Sequence, residues 1–365
     1  MDGKKKPKRV LLKQLIMRRV LLALLPPLAG AIYFFGWRSL FLVVWAAVVG
    51  FLVEYFFART RGEPVSEAVF VTTTIFALIM PPTVPWHVLT IGVAFAVMFT
   101  KEIFGGFGRN FFNPAMAGRC FVYVCFPVAL TAVWAPAAKG VWGALDRWTT
   151  APTLDATTGA TPMAYLKAGR LVLVSARSVP VRVYNFQETP DGVTTNEVPF
   201  EIPEDQTVPV KRTAFWRIQF FGRLSGTVGV TSVLLILLGG LYLVYTKTAS
   251  RTIVLVLVLT YGGLSQLLHM LGASPVSSGL TAILGGGFLF GAFYMATDPI
   301  SAPKTEPGRV FYAILIALCT VVIRNFSIFN GGLMFSILIG NMFAPIIDYG
   351  VRARAAAAKP AKGMA

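Results

Sequence analysis

The stretch Lys101-Glu102-Ile103-Phe104-Gly105-Gly106-Phe107-Gly108-Arg109-Asn110-Phe111-Phe112-Asn113-Pro114-Ala115-Met116-Ala117-Gly118-Arg119 gathers charges, amides and glycines at a helix end. Gly105, Gly106 and Gly108 release the backbone, and Asn113 followed by Pro114 reads as an N-cap with proline at the first helical position. Unpaired amide donors and a positive dipole end there could hold a carbonyl-rich or anionic ligand, and a tight turn between two spans would use the same residues. No strand precedes the glycines, so they do not read as a phosphate loop. A second stretch, Asp155-Ala156-Thr157-Thr158-Gly159-Ala160-Thr161-Pro162, is rich in small hydroxyl residues. Gly159 and Ala160 leave space around Thr161, and Pro162 keeps it out of helical geometry, so its hydroxyl can be presented to another molecule. Taken alone, the octapeptide also reads as a polar loop. Only His87 and His269 are histidines, and Cys120, Cys125 and Cys319 all lie in apolar runs. Neither a multi-histidine site nor a CxxC site is available, so any redox chemistry needs an organic cofactor.

The elements that position these residues belong to a membrane. The chain of 365 residues is 55% hydrophobic and 13% charged, whereas a soluble chain carries charge at about a quarter of its positions. About 20 apolar residues cross the hydrocarbon, and about ten such stretches occur, at 19–36, 39–57, 67–82, 86–101, 112–134, 226–246, 252–271, 277–297, 310–325 and 331–349. The third is short and ends in Pro81 and Pro82, which suits a broken helix.

The net charge of +17 would suggest nucleic acid in a soluble protein. Here it follows the membrane instead, and no nucleic-acid partner is expected. With the amino terminus inside, the inner connections carry the basic residues, among them Lys13, Arg18, Arg19, Arg59, Arg61, Lys101, Arg109, Lys247, Arg251, Lys304, Arg309 and Arg352. The short outer connections hold only Arg38 and Arg324, the bias that the positive-inside rule requires. Both termini are therefore expected in the cytoplasm. The basic arm 1–18 is expected on anionic lipid, the long segment 135–223 outside, and a short cytoplasmic tail at 350–365. The two halves, 19–134 and 224–349, share Pro64-Val65-Ser66 with Pro275-Val276-Ser277, and Phe112-Asn113 with Phe329-Asn330. Five spans per half is odd, so a repeat would be inverted, and inverted repeats with broken helices build sites near the bilayer midplane. The expected fold is an all-α integral membrane protein of about ten transmembrane helices in two inverted five-helix repeats. Glu54, Glu67, Asp298, Arg324 and Asp348 lie near span ends, where ionisable residues either mark the interface or line an ion path.

Glu67-Ala68-Val69-Phe70-Val71-Thr72-Thr73, Met80-Pro81-Pro82-Thr83, Lys101-Glu102 and Asn113-Pro114-Ala115-Met116-Ala117-Gly118-Arg119 resemble a known family. Tyr245-Thr246-Lys247, Met295-Ala296-Thr297-Asp298-Pro299 and Asn341-Met342-Phe343-Ala344-Pro345 extend the likeness from about Phe51 to Tyr349. The resemblance is to the NqrB/RnfD family, which contains the NqrB subunit of the sodium-translocating NADH:quinone oxidoreductase and the RnfD subunit of the Rnf complex. It implies a threonine esterified to the phosphate of FMN by a flavin transferase outside the cytoplasm. Here that residue is Thr161, with Asp155, Thr158, Gly159 and Ala160 forming its motif. The resemblance also implies a non-covalent riboflavin near Asn110 and Asn113, a quinone near Gly50 and a path for Na+ or H+ past Glu54, Glu67 and Asp348.

The sequence departs from the quinone-reductase form in the longer approach from Trp134 to Asp155 and in a shorter amino-terminal extension. The Thr161 motif looks closer to the Rnf type, and the Lys101 to Arg119 stretch closer to the quinone-reductase type. The expected function is an electron-transfer subunit of an ion-translocating respiratory complex in the inner membrane, assembled with other subunits and passing electrons to quinone. An Rnf-type role between ferredoxin and NAD is the alternative, and a small-solute transporter without redox function is the rival from a different class.

Overall fold

The computed structural model describes residues 10–131, 135, 137–138, 142–146, 148–149, 184–189, 192–197, 212–222, 226–273, 275–327 and 331–357. Asp155, Thr158, Gly159, Ala160 and Thr161 lie outside the described residues, as does the Phe329-Asn330 pair. The first half holds β1 (Leu11–Leu12), α1 (Leu15–Phe35), α2 (Arg38–Arg61), β2 (Val65–Ser66), α3 (Ala68–Leu78) and α4 (Trp86–Val97). A π-helical turn (Met98–Glu102) then leads to α5 (Pro114–Cys125) and α6 (Pro127–Thr131). A hairpin of β3 (Tyr184–Thr189) and β4 (Gly192–Glu197) and the helix α7 (Arg212–Phe221) separate the halves. The second half holds α8 (Val233–Tyr245), α9 (Arg251–Met270), α10 (Gly279–Leu284), α11 (Phe288–Tyr294), α12 (Glu306–Phe326) and α13 (Gly332–Ala357).

Among the described residues α1, α2, α9, α12 and α13 are long and apolar enough to cross a membrane. Together with the shorter helices they form an all-α membrane protein. Four of the other expected spans are interrupted, each for a local reason. At about 1.5 Å per residue, the 11 residues of α3 cover roughly half of a hydrocarbon core about 30 Å thick. Pro81 and Pro82 forbid its continuation. In hydrocarbon the carbonyls freed at such a break must find donors within the protein. Gly229 N donates to Leu78 O at 2.7 Å, Val228 N to Met80 O at 2.9 Å, and the Arg119 guanidinium to Ile79 O. The irregular stretch before α8 is thus the partner of the broken α3, which is why the expected span 226–246 is helical only from Val233. The expected span 277–297 is two helices, parted where Gly286 and Gly287 take left-handed φ of 57° and 69°. The expected span 112–134 breaks at Phe126, where the next residue is Pro127.

Hydrogen bonds fix which connections share an end of the bundle. Gln14, Arg18 and Arg19, at the start of α1, bond Glu67 and Thr246, so β2 and the α8–α9 connection lie with them. At the opposite end Arg38 donates to Thr149 O and Val84 O, both at 2.8 Å, and Ala144 N to Tyr33 O at 2.8 Å. The long segment therefore leaves the bundle opposite to Glu67. α1 begins at the first end and α8 ends there, so these two helices run antiparallel.

One apolar core joins the halves through α1, α8 and α11. The Tyr294 hydroxyl bonds Ala23 O at 3.0 Å and Ile236 O at 3.3 Å. A Cβ on Gly239 would stand 1.9 Å from Ala23 O and 2.1 Å from the Tyr294 hydroxyl. Gly239→Ala is therefore expected to force α1 and α8 apart at a cost of about 1–3 kcal/mol or more. A lowered thermal midpoint of the purified protein checks this, and an unchanged midpoint contradicts it.

Candidate functional site

The glycine turn behaves as its residue types require. Gly105, Gly106 and Gly108 adopt φ of 101°, 94° and 86°, values open to glycine at no steric cost. The turn folds back under the bundle and delivers Asn113 as the N-cap of α5. One expectation needs correction here. The helix-end donors are not free, because Asn113 Oδ1 itself accepts from Ala115 N at 3.1 Å and Met116 N at 3.3 Å. Asn113 Nδ2 donates to Met295 O at 3.3 Å, across to the end of α11 in the other half. Asn113 is thus a buried clasp between the halves. Asn110, also buried, donates to Phe112 O at 3.1 Å and shapes the turn.

Between these residues lies a cleft that opens at the surface. The first half contributes Thr72, Ile75, Lys101, Phe107, Asn110 and Asn113 to its walls. The second half contributes Thr248, Ala249, Phe293, Tyr294, Thr297 and Asp298. Apolar and aromatic walls with a few converging polar groups are the usual lining of small-molecule sites. Residues 248–249 were invisible to sequence reasoning as site residues, since only the fold brings the α8–α9 connection beside the glycine turn.

Asp298 lies in the connection after α11, with Ser301 Oγ donating to its Oδ2 at 2.7 Å. Burial lifts its carboxyl above the ordinary range, against the lowering pull of Ser301 and the Ile300 and Ser301 amides. A folded state that holds the proton more tightly than the unfolded chain loses stability as pH rises from the ordinary carboxylate value through the raised one. Asp298→Asn is expected to abolish that part of the decline. Thermal midpoints of both proteins across pH 4 to 8 check it, and parallel curves would argue against it.

Beside the cleft runs a chain of buried charges. Glu54 on α2 and Lys101 in the π-helical turn pair at 2.5 Å, with relative side-chain exposure of 3% each. Lys101 Nζ also donates to Ser66 Oγ at 2.7 Å, while Glu54 Oε1 accepts from Ser66 N and Ser66 Oγ, both at 2.8 Å. The next residue, Glu67, accepts from Arg18 at 2.5 Å and from Gln14 N at 2.7 Å. Glu102 pairs with Arg61, and its Oε1 is buried without a partner. Glu54 and Glu67 are thus joined through Ser66. Asp348 belongs to a separate contact, where it accepts from Thr305 Oγ at 2.5 Å and Lys304 N at 2.8 Å and fastens α13 to the start of α12. Arg324 is buried and donates to the Tyr261 hydroxyl at 3.0 Å. Gly50 is a close-packing residue, since a Cβ there would meet Thr73 Cγ2 at 2.3 Å.

A family model described as the NQR2, RnfD, RnfE family matches residues 10–357, from β1 through α13. The Na(+)-translocating NADH-quinone reductase B-subunit of Ectopseudomonas mendocina is 34% identical over 316 residues, or 85% of this chain and 66% of that one. Its counterpart of the same name in Pseudoalteromonas atlantica is 34% identical over 326 residues, covering 87% and 68% of the two chains. That of Neisseria meningitidis serogroup B is 33% identical over 329 residues, covering 88% and 67%. The chain spans about two thirds of the length of these relatives. With a match that takes in both halves, the cleft and the buried charge chain, this protein belongs to the NQR2, RnfD and RnfE family.

Proposed function

We propose that the chain is an electron-transfer subunit of an ion-translocating respiratory complex in the inner membrane. It carries FMN as a phosphoester on Thr161 and a non-covalent riboflavin in the cleft beside Asn110 and Asn113, and it passes electrons onward to quinone near Gly50, coupled to Na+ or H+. The observation that carries this reading is the cleft itself, lined by the glycine turn of one half and by the Thr248 and Asp298 connections of the other. The relatives' name, a Na(+)-translocating NADH-quinone reductase, supports the donor, the acceptor and the ion. On the same reading the end bearing Arg18, Lys101, Lys247 and Arg309 faces the cytoplasm, and the halves are inverted repeats. The long segment, which departs from the other end, then meets a flavin transferase outside, and further subunits of the complex surround the bundle.

A bound flavin supplies the one-electron chemistry. The protein's own groups do the rest. Phe107, Ile75 and Phe293 would give it apolar walls, and Asn110, Thr248 and Thr297, which also line the cleft, would offer it donors and acceptors. Asn113 holds the two walls together. Flavin content per polypeptide, with the modified peptide located by mass, tests the proposal. One phosphoester-linked flavin on Thr161 together with one flavin released on denaturation supports it, and a polypeptide without flavin overturns it. The family model also takes in RnfD, so an Rnf-type role between ferredoxin and NAD stands as the second reading. The identity of the copurified subunits separates the two.

A further inference from the structure

We propose that the turn joining α8 to α9 holds the phosphate headgroup of an anionic phospholipid, with Arg19, Lys247 and Arg251 as its ligands and the acyl chains laid along α1 and α8. Three cations converge on this turn. The Arg19 guanidinium reaches across from α1 to Thr246 O at 3.3 Å, Arg251 Nε returns to Val244 O at 3.4 Å, and Lys247 lies between them in the chain. None of the three pairs with a carboxylate among the described residues. Glu306, which meets α9 through Thr252 Oγ1 at 2.8 Å, is paired with Arg309, and Glu67 is held by Arg18.

Local rules do not account for these residues. Lys247 N donates to Val244 O at 3.3 Å and Thr248 N to Leu243 O at 2.9 Å, the two bonds of a Schellman motif, and Lys247 fills its left-handed position with φ of 55°. Glycine is the usual residue there, and Lys247 is the one non-glycine among the described residues with such an angle. Arg251 opens α9, where the positive end of the helix dipole disfavours a cation. Nor do the dipoles absorb the charge, since about half a negative charge at the end of α8 meets about half a positive one at the start of α9. Side chains set against local preference at one place mark a functional site rather than a folding requirement.

The rim of the turn suits a membrane surface. Tyr245 is 82% exposed and Tyr242 is exposed near it, rings of the kind that sit at headgroup level. Leu241 and Leu238 continue an exposed apolar stripe along α8, and Leu22 and Leu25 continue one along α1 from Arg19. The two helices pack against each other, so both stripes lead away from the basic turn. A basic pocket between membrane helices is the usual seat of an acidic lipid headgroup. Thr248 and Ala249, next in the chain, line the cleft, so a lipid held here braces that wall.

The test titrates the full chain in neutral detergent with dioleoylphosphatidylglycerol or dioleoylphosphatidylcholine and follows bound lipid by native mass spectrometry. The first phosphatidylglycerol should bind more tightly than any phosphatidylcholine and should survive excess inorganic phosphate. Lys247→Gly should weaken it about fivefold, and Lys247→Gly with Arg251→Gln about twenty-five-fold. Glycine keeps the turn, so that loss reports charge rather than misfolding. Arg354→Gln, which removes an exposed cation on α13 away from the turn, should change nothing. Equal binding of the two lipids, displacement by inorganic phosphate, or equal weakening by Arg354→Gln overturns the proposal. In the complex purified with this chain, a photo-crosslinker on Tyr245→Cys should capture lipid, and capture of a neighbouring subunit instead also overturns it.

Discussion

Thr161→Ala is expected to remove all covalently bound flavin from the polypeptide, a change from one flavin per chain to none. The effect is complete because a phosphoester needs the side-chain oxygen and no neighbouring group can replace it at that position. Thr161→Ser keeps a hydroxyl at that position and is expected to retain the flavin. Fluorescence of the denatured polypeptide in a gel reads the result directly, since only a covalent flavin survives denaturation. Membrane insertion should be unaffected, because the described residues that begin the long segment dock through the Tyr33 and Phe34 carbonyls and the Arg38 guanidinium. A fluorescent Thr161→Ala band would remove the main site assignment. Absence of fluorescence from the wild-type band would favour a transporter without redox function.

The parts of this molecule that are local in sequence were legible, and those that depend on contact across the chain were not. Charge bias along the connections placed Arg18, Arg61, Lys101, Lys247 and Arg309 on one side, and the hydrogen bonds around Glu67 and Thr246 gather Arg18 and Lys247 at one end. Asn113 was legible as an N-cap because capping is decided by a residue and its three successors. Its second bond, to Met295 O across 182 residues, was not, because only the fold brings the end of α11 beside it. Hydropathy counted 277–297 as one crossing because glycine neither adds to nor subtracts from an apolar run. The break at Gly286 and Gly287 is visible only in the backbone angles. Glu54 and Lys101 were each conspicuous, yet their pairing depends on Ser66 being carried between them by the short β1–β2 contact. No periodicity in the sequence encodes that contact.

Glu54→Gln should destabilise the protein by about 3–5 kcal/mol, the loss typical when one partner of a buried ion pair is removed. The reason is the charge left behind. Lys101 is 2% exposed, and with Glu54 neutral its nearest oxygen other than an amide is the Ser66 hydroxyl at 2.7 Å. The penalty belongs to the stranded ammonium rather than to the lost bond, which makes a sharp prediction for the double variant Lys101→Met, Glu54→Gln. It removes both charges, keeps the volumes close and leaves the glutamine able to accept from Ser66, so it should recover to within about 1 kcal/mol of wild type. Glu102 supplies a contrast at the next residue. Its partner Arg61 also serves Glu63 and is partly exposed, so Glu102→Gln leaves a cation that water can reach and should cost well under half as much. Denaturant or thermal unfolding of the four proteins in one detergent checks the order. Equal losses for Glu54→Gln and the double variant would mean that the pair's packing, not its charge, holds α2 to the turn.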